Sequence, residues 1–346
     1  MIGDVLITSV LFEAIKHKFP KSELHYVINS HTYPVVKHNP FVDKFHFFTP
    51  EDEDSILKLW QFTKALKSHN FDAVIDVYSK LSSNLMSWKS NAKLKISLDK
   101  GFNKLIYNHR FKNKAKPETK AGLAIENRLQ LLQALGITGH NICKPKIFLK
   151  TEEIEFSKQF LLSKDIDLSK PLFMIAVLGS SSIKTLPFDY MAKTIDFICT
   201  QIPNSQILFN YIPKQKEQVL ELYNLCSDSS KSNIYLDVFG KSLREFLALT
   251  FHCTALIGNE GGATNMAKAL DIPTFTIFSP WIKKEAWNMF DDGKKHTSVH
   301  LEDYNKEPYL NIAKYKELKK DALDLYKKLK PELFTEKLGV FLLNNA

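Results

Sequence analysis

The sequence predicts an α/β protein of two parallel-sheet domains, and three features of its 346 residues predict it. Short apolar runs alternate with amphipathic helical patterns along the chain. The apolar runs are β-branched or aromatic and nearly continuous, as parallel strands covered on both faces are. The alternation pauses around residues 140–171, which divides it into two series. We therefore expect a sheet with right-handed crossovers in each half of the chain.

The individual elements follow from these patterns. The apolar runs predict strands at 23–28, 44–48, 72–77, 93–98, 172–178, 205–211, 233–238, 254–258 and 274–278. Helical periodicity predicts helices at 10–19, 55–69, 125–136, 188–202, 242–252 and 262–270. Pro20 and Gly136 are stop signals for two of these helices. The predicted domains are 1–150 and 151–325, with a helical tail at 326–346 that we expect to pack back on the first domain.

The composition excludes several classes of protein. With 44% hydrophobic residues the chain can bury a sizeable core. Its four cysteines are scattered without a C-x-x-C pair, which favours a reducing compartment and indicates no metal site. No apolar run reaches the ~18 residues of a membrane span, and no signal peptide is evident. The eleven histidines lack H-E-x-x-H spacing and G-x-S-x-G is absent, which disfavours a metalloenzyme or a serine hydrolase. We expect a soluble, cytoplasmic protein.

The net charge of +9 is concentrated in one stretch. Residues 89–120 contain ten basic and two acidic residues, a local charge of +8, and include Lys89, Lys93 and Arg110. Such a block attracts phosphates or an anionic membrane surface. Nucleic acid is the weaker interpretation because the stretch lacks the interleaved aromatic residues of a base-stacking surface. A solvated, lysine-rich loop is the simpler alternative.

A glycine-rich turn in ALIGNEGGATNMAKAL is the strongest local signal for a ligand site. A predicted strand ends at Gly258, and a helix begins near Ala263. Gly261 and Gly262 lack Cβ atoms, so a ligand can approach the backbone closely, and the helix N-terminus favours a pyrophosphate. Glu260 can accept a hydrogen bond from a sugar hydroxyl. The alternative is a turn whose glycines serve packing alone.

A second loop, in AVLGSSSIKTLPF, follows the first strand of the same half. Ser180, Ser181 and Ser182 supply small hydrogen-bonding groups, and Lys184 adds a positive charge. This combination suits a phosphate, although it is not a P-loop. A lone lysine in a loop is usually just solvated, but two such loops at strand ends of one sheet favour an anionic ligand. The acidic run EDED at 51–54, which formally contains Asp-x-Asp, is interpreted as the N-terminal cap of the next helix.

Taken in order, these segments resemble glycosyltransferase family 9, the lipopolysaccharide heptosyltransferases. The resemblance covers nearly the whole chain and rests on IGDVLITSVLFEAIKHKFP, FDAVIDV, ENRLQLLQALGI, GSSSIKTLP and IGNEGGATNMAKALDIPTFTIFSP. Members of that family have a strand before the Gly-Asp turn, which here is Gly3–Asp4. That first strand is missing from this sequence, and truncation is the interpretation we favour.

The resemblance implies a GT-B fold, in which two Rossmann-like domains face each other across a cleft that holds the site. It implies metal-independent, inverting transfer without a cofactor, from a nucleotide-sugar donor such as ADP-heptose. The acceptor would be a phosphorylated, lipid-linked glycan of the lipopolysaccharide core, bound by domain 1–150, with the donor bound by domain 151–325. The enzyme would be cytoplasmic and peripheral at the inner face of the cytoplasmic membrane, where residues 89–120 would hold acceptor phosphates and anionic lipid.

Site residues carry over by position. Asp4 matches the acid regarded as the general base, and Lys184 matches the lysine facing the diphosphate. The donor-binding positions are Ser180, Ser181, Ser182, Lys184, Glu260, Gly261 and Gly262, and Lys89, Lys93 and Arg110 are weaker candidates for acceptor binding.

Several positions depart from the family pattern. Glu260 replaces an aspartate, Asn265 a histidine, and Trp281 a small hydroxyl residue, while Pro213 and Lys214 stand where a glycine and an acid are expected. Either the donor preference is altered or the pocket is impaired. Two rival functions stay open: another GT-B enzyme of nucleotide sugars, such as an epimerase or a transferase with a different donor, and a catalytically weak module that binds nucleotides or glycans.

Overall fold

The computed structural model describes residues 1–138 and 143–346, and the chain forms two compact units. The first unit is Met1–Lys146 and the second is Ile147–Ala346. The unit boundary therefore falls just before the predicted one at residue 150. Residues 139–142, which include the first residues of the predicted join at 140–171, lie outside the described residues.

The first unit contains six α-helices and five strands among its described residues. The helices are α1 (Ile2–Thr8), α2 (Val10–Lys18), α3 (Pro50–Asp54), α4 (Ile56–Lys67), α5 (Leu81–Lys89) and α6 (Leu123–Leu129). The strands are β1 (His25–Asn29), β2 (Lys44–Phe48), β3 (Ala73–Asp76), β4 (Leu94–Leu98) and β5 (His109–Phe111). A 3₁₀ segment, Gln130–Leu135, continues α6 and ends at Gly136 in the left-handed conformation, which confirms this stop signal.

The strands of the first unit form two parallel sheets where one was expected. β1 pairs with β2, and β3, β4 and β5 form a separate sheet in that order. Among the described residues no strand pairs with both β1 and β3, so the two sheets are separate. β5 escaped the sequence prediction because it is a short edge strand with two polar residues, His109 and Arg110.

The second unit has one five-stranded parallel sheet of order β10-β9-β8-β6-β7. Its strands are β6 (Leu172–Ala176), β7 (Gln206–Phe209), β8 (Ala255–Asn259), β9 (Thr274–Ile277) and β10 (His296–Val299). Its helices are α7 (Thr151–Leu162), α8 (Phe188–Gln201), α9 (Lys216–Leu225), α10 (Asp228–Lys231), α11 (Leu243–Phe251), α12 (Gly262–Ala269), α13 (Lys284–Trp287), α14 (Ala322–Lys328) and α15 (Thr335–Asn345). Every residue of these five strands is buried, as expected for a sheet covered on both faces.

Two strand assignments in this unit differ from the prediction. The strand predicted at 233–238 is wrong: only Ile234 forms an isolated bridge, with Ile207, and the chain then turns, Val238 N–H donating to the Tyr235 carbonyl at 3.1 Å. β10 was missed because three of its four buried residues are His296, Thr297 and Ser298, so no apolar run marks it.

The C-terminal tail packs in the core of the second unit, and its packing on the first domain stays a prediction. Leu338, Phe341 and Leu342 of α15 are buried in the main core of the second unit. The ring of Phe341 lies 5.6 Å from that of Phe275 in β9. The apolar face of α15 is therefore buried against the second unit, as expected for an amphipathic helix that packs on a sheet.

The acidic run at 51–54 is not the cap of the long helix. It lies inside the short α3, whose N-cap is Thr49, while Ser55 caps α4 with an acceptor 3.4 Å from the Lys58 N–H. The acids still lie in the first turn of a helix, where the helix dipole favours them. Each helix in the described part of the chain is too short or too polar to span a lipid bilayer.

Candidate donor-binding and catalytic residues

The two predicted donor loops follow neighbouring strands. β6 and β8 pair in parallel, so the loops after them emerge at the same sheet edge. Asn259 joins the loops: its Nδ2 donates to the carbonyls of Ala176 and Val177 at 3.0 and 2.9 Å. Its Oδ1 accepts from the Leu186 N–H at 2.8 Å. This buried amide therefore positions the Ser-rich loop against the glycine-rich turn.

The glycines near these loops serve two different purposes. A Cβ at Gly258 would lie 2.6 Å from the Ala176 carbonyl oxygen, and one at Gly179 would lie 2.1 Å from that of Lys184. Both positions need glycine for close packing. Gly261 instead has φ +149° with open space around a built Cβ, and Gly262 meets only the Met266 side chain at 3.8 Å. The N-terminus of α12 is thus open to a ligand.

Lys184 and Glu260, predicted separately, come together as an ion pair. Lys184 Nζ lies 3.1 Å from Glu260 Oε1, and the Glu260 side chain is only 8% exposed. The distance is that of an ion pair, but the angles do not make a hydrogen bond, so Oε1 is buried without a hydrogen-bond partner among the described residues. The Lys184 ammonium also lies 5.5 Å from the ring centroid of Trp281. The cation is held next to a carboxylate and an aromatic face.

The turn after β9 forms hydrogen bonds with the Ser-rich loop. Ser279 Oγ and Trp281 Nε1 both donate to the Ile183 carbonyl, at 2.7 and 3.1 Å. Trp281, noted as a departure from the family pattern, therefore positions the lysine loop. Its role was not predictable from sequence because the contact joins residues 98 positions apart. The side chains of Ser180, Ser181 and Ser182 stay exposed and can face a ligand.

Asp4 lies within a helix, where a Gly3–Asp4 turn had been predicted. α1 begins at Ile2, and its N-cap is Met1, so Asp4 is in the first turn and does not cap the helix. Its side chain is buried and both oxygens are bonded. Arg128 Nη2 donates to Oδ1 at 3.0 Å, and the Tyr78 hydroxyl donates to Oδ2 at 3.0 Å.

Arg128 and Tyr78 were missed as site residues, although ENRLQLLQALGI contains the first and FDAVIDV immediately precedes the second. Arg128 is fixed by two further bonds, from Nε to Thr8 Oγ1 at 2.9 Å and from Nη1 to the Ala124 carbonyl at 2.8 Å. Burial, reinforced by the charge of Asp4, raises the pKa of Tyr78 to about 12, so its hydroxyl stays a donor. The Asp4 carboxylate is thus held in one orientation.

The basic stretch at 89–120 contains the end of α5, β4 and β5 together with the loops that follow them. Lys89 lies over the ring of Trp88 at 4.3 Å, and Arg110 pairs with Asp99 at 3.0 Å. Lys93 is exposed. Trp88 also lines an apolar groove of about 470 Å³, together with Ser79, Lys80, Leu81, Asn84, Leu85, Phe102 and Ile106.

The backbone has the fold of known glycosyltransferases. A family 9 glycosyltransferase from Veillonella parvula DSM 2008 matches it with a TM-score of 0.81 at 17% identity, over 99% of this chain and 95% of that chain. E. coli heptosyltransferase WaaC with ADP matches with a TM-score of 0.68 at 14% identity, over 94% and 97% of the two chains. The same enzyme with ADP-2-deoxy-2-fluoro heptose gives 0.65 at 15% identity, over 95% and 96%. The fold is therefore that of the GT-B glycosyltransferases.

Sequence comparison then identifies the family. The model of glycosyltransferase family 9 (heptosyltransferase) matches residues 59–317. Lipopolysaccharide heptosyltransferase 1 from Campylobacter coli is 26% identical over 323 residues, which cover 87% of this chain and 90% of the relative. The chain belongs to glycosyltransferase family 9 and is a glycosyltransferase, which confirms the predicted family, fold class and kind of enzyme.

Proposed function

We propose that this glycosyltransferase transfers a heptose-like sugar from a nucleotide diphosphate donor, ADP-heptose, to a phosphorylated acceptor of the lipopolysaccharide core. Membership of the heptosyltransferase family and the similarity to lipopolysaccharide heptosyltransferase 1 from Campylobacter coli support the sugar and the acceptor. The similarity to WaaC, solved with ADP and with ADP-2-deoxy-2-fluoro heptose, supports the nucleotide. The observation that carries the proposal is the Lys184 ammonium 3.1 Å from Glu260, beside the open N-terminus of α12.

In this proposal the donor diphosphate binds in the second unit. The Lys184 ammonium pairs with one diphosphate oxygen. The exposed hydroxyls of Ser180, Ser181 and Ser182 donate hydrogen bonds to the other diphosphate oxygens. The N–H groups of Gly261 and Gly262 add the partial positive charge of the helix start. Glu260 keeps the lysine in place and accepts from a hydroxyl of the donor. As charge develops on the departing diphosphate, the same cation and N–H groups stabilise it.

Asp4 is the proposed general base. Inverting transfer requires a group that takes the proton of the acceptor hydroxyl as its oxygen attacks the anomeric carbon. The Asp4 carboxylate is held by Arg128 and Tyr78 at 3.0 Å each, which fixes its direction and leaves lone pairs on both oxygens for the acceptor. No metal or cofactor has a step in this mechanism.

The acceptor and the membrane are proposed to meet the first unit at its basic stretch. Lys89, Lys93 and Arg110 would contact acceptor phosphates. Leu81, Trp88 and Phe102, exposed by 88%, 55% and 70%, would enter the interface of an anionic membrane, where a mixed apolar and basic surface is stable. The enzyme would thereby work at the inner face of the cytoplasmic membrane, in the cytoplasm.

The test is acceptor-dependent release of ADP from ADP-heptose, with the product's anomeric configuration assigned by NMR. We expect release to rise at least tenfold when a heptose-free, phosphorylated core acceptor is added, and the new linkage to have the configuration opposite to that of the donor. Retained configuration would contradict the inverting mechanism. Turnover with a UDP-sugar but not with an ADP-sugar would contradict the proposed donor.

A further inference from the structure

Three histidines that are far apart in the sequence lie together in the first unit. His25 begins β1, His46 lies in β2, and His69 follows α4. One ring nitrogen of each lies within 4.8 Å of the other two. The ring centroids of the three pairs are 4.8–5.1 Å apart. None of these residues belongs to the proposed donor, base or acceptor groups.

We propose that His25, His46 and His69 bind a divalent transition-metal ion of the zinc class. Three imidazoles are a common ligand set for Zn²⁺, with Zn–N bonds of about 2.0–2.1 Å. Tetrahedral coordination with such bonds separates the ligand nitrogens by about 3.3–3.5 Å. His25 Nδ1 and His46 Nε2 are 2.9 Å apart, so small rotations of the rings accommodate the ion. The sequence did not indicate this site because its ligands come from three separate elements.

The surroundings of His25 are those of a metal ligand. His25 Nε2 lies 2.8 Å from Glu23 Oε1, and this carboxylate contact leaves Nδ1 to accept from His46 Nε2, 2.9 Å away, with the lone pair that would bind the ion. A carboxylate that accepts the second N–H of a ligating histidine orients the ring and makes it more basic. The positive charge of Lys44 acts on His46 and His69 and opposes a metal ion there, whereas the Glu23 carboxylate favours one. Phe71 packs edge-on against His25, with centroids 5.0 Å apart, and fixes its ring.

The ion would join two parts of the first unit. β1 and β2 form only a two-stranded sheet, which is marginal by itself. An ion held by one ligand from each strand and one from the turn after α4 would fasten that sheet to the helix beside it. The proposed role is therefore structural, and sugar transfer itself stays independent of the metal.

Zinc titration of the tag-free full chain, stripped with chelator and dialysed, tests the proposal. We expect one Zn²⁺ per chain by isothermal titration calorimetry. Saturating zinc at about 100 times its Kd should raise the melting temperature by roughly 5 °C or more, and chelator should reverse the shift. Co²⁺ should give the visible absorption bands of a four-coordinate site.

Variants assign the ion to these residues. His46→Ala and His69→Ala should each weaken zinc binding at least 100-fold, and Glu23→Gln should weaken it about 10–100-fold. His17→Ala, an exposed histidine of α2 outside the cluster, is the matched control and should bind like the parent. Should His46→Ala fail to fold by circular dichroism, His69→Ala in the turn after α4 carries the test. Parent protein without a one-to-one zinc site, or undiminished binding in His69→Ala, would overturn the proposal.

Discussion

Single residues at the proposed site are held by contacts that fix their direction. Asp4 is bonded by Arg128 and Tyr78, and Lys184 is held by Glu260 and Trp281. Each functional group is thus supported by one charged and one aromatic neighbour. A test substitution must therefore distinguish loss of the functional group itself from loss of the contacts that orient it.

The first prediction concerns Asp4→Asn. Asparagine keeps an acceptor for Arg128 but cannot take a proton, so kcat should fall about 10²–10⁴-fold while the Kd for ADP stays unchanged. Tyr78→Phe, which removes a hydrogen bond and leaves the carboxylate, is the matched control and should lower kcat less than about tenfold. Steady-state rates of ADP release, measured well below the melting temperature, check both. A folded Asp4→Asn enzyme with near-normal turnover removes Asp4 from the mechanism.

The second prediction concerns Lys184→Ala. Loss of a charge-assisted hydrogen bond of about 1.5–3 kcal/mol should raise the Kd for ADP roughly 10–150-fold. Lys193→Ala, an exposed lysine of α8 in the same unit, should leave it unchanged. Calorimetric titration with ADP measures both. Because Glu260 loses its partner, the melting temperature should also fall, and an unchanged ADP affinity would contradict the assignment of Lys184 to the diphosphate.

At the scale of elements, α5 and the loop after β4 combine an exposed apolar surface with basic residues. Leu81 and Trp88 of α5 and Phe102 of the loop expose large apolar areas, Lys80 lines the same groove and Lys89 lies over the Trp88 ring. Exposed apolar patches with a basic rim are typical of binding surfaces for membranes. The sequence indicated the charge, whereas the groove depends on how α5 and the loop pack.

The third prediction concerns this surface. Replacing Lys89, Lys93, Lys100 and Lys104 with glutamine should weaken binding to vesicles of anionic lipid about 100-fold or more, because each lysine near the surface contributes about 1 kcal/mol. Raised salt should weaken binding of the parent similarly. Vesicle co-sedimentation measures both effects. The matched control replaces four exposed lysines of the second unit, Lys158, Lys164, Lys193 and Lys214. Equal losses in the two variants would indicate only an effect of net charge.

At the scale of the whole molecule, each of the two units has its own core, and the C-terminal helix completes the second. α15 is the last element of the chain, yet it buries Leu338, Phe341 and Leu342 against the sheet that carries the proposed donor loops. Stability of the donor unit should therefore depend on the tail.

The fourth prediction is that Phe341→Ala lowers the free energy of unfolding of the second unit by about 3–5 kcal/mol, the usual cost of removing a buried phenylalanine. The control is Leu343→Ala, two residues further along α15, where the side chain is 75% exposed. It should change the free energy of unfolding by less than about 0.5 kcal/mol. Urea unfolding followed by intrinsic fluorescence measures the difference. A small effect of Phe341→Ala would show that the tail is dispensable for this core.

Local patterns in the sequence determined much of the molecule. The sequence correctly predicted the glycine-rich turn after β8, the Ser-rich loop after β6 and the alternation of strands and helices. Short-range periodicity and turn chemistry decide these features. β10 and the three-residue β5 were missed for the same reason, since polar or very short strands carry no such pattern. The strand predicted at 233–238 was wrong because an apolar run does not reveal where the backbone turns.

Only the tertiary structure decided which of these residues meet. The pairing of Lys184 with Glu260, the bonds of Arg128 and Tyr78 to Asp4, the position of α15 and the cluster of His25, His46 and His69 all join distant parts of the chain. Such contacts depend on the order of strands in a sheet and on the packing of helices over it. Neither composition nor local spacing contains that information, because each contact is formed only when whole elements are brought together by burial of their apolar faces.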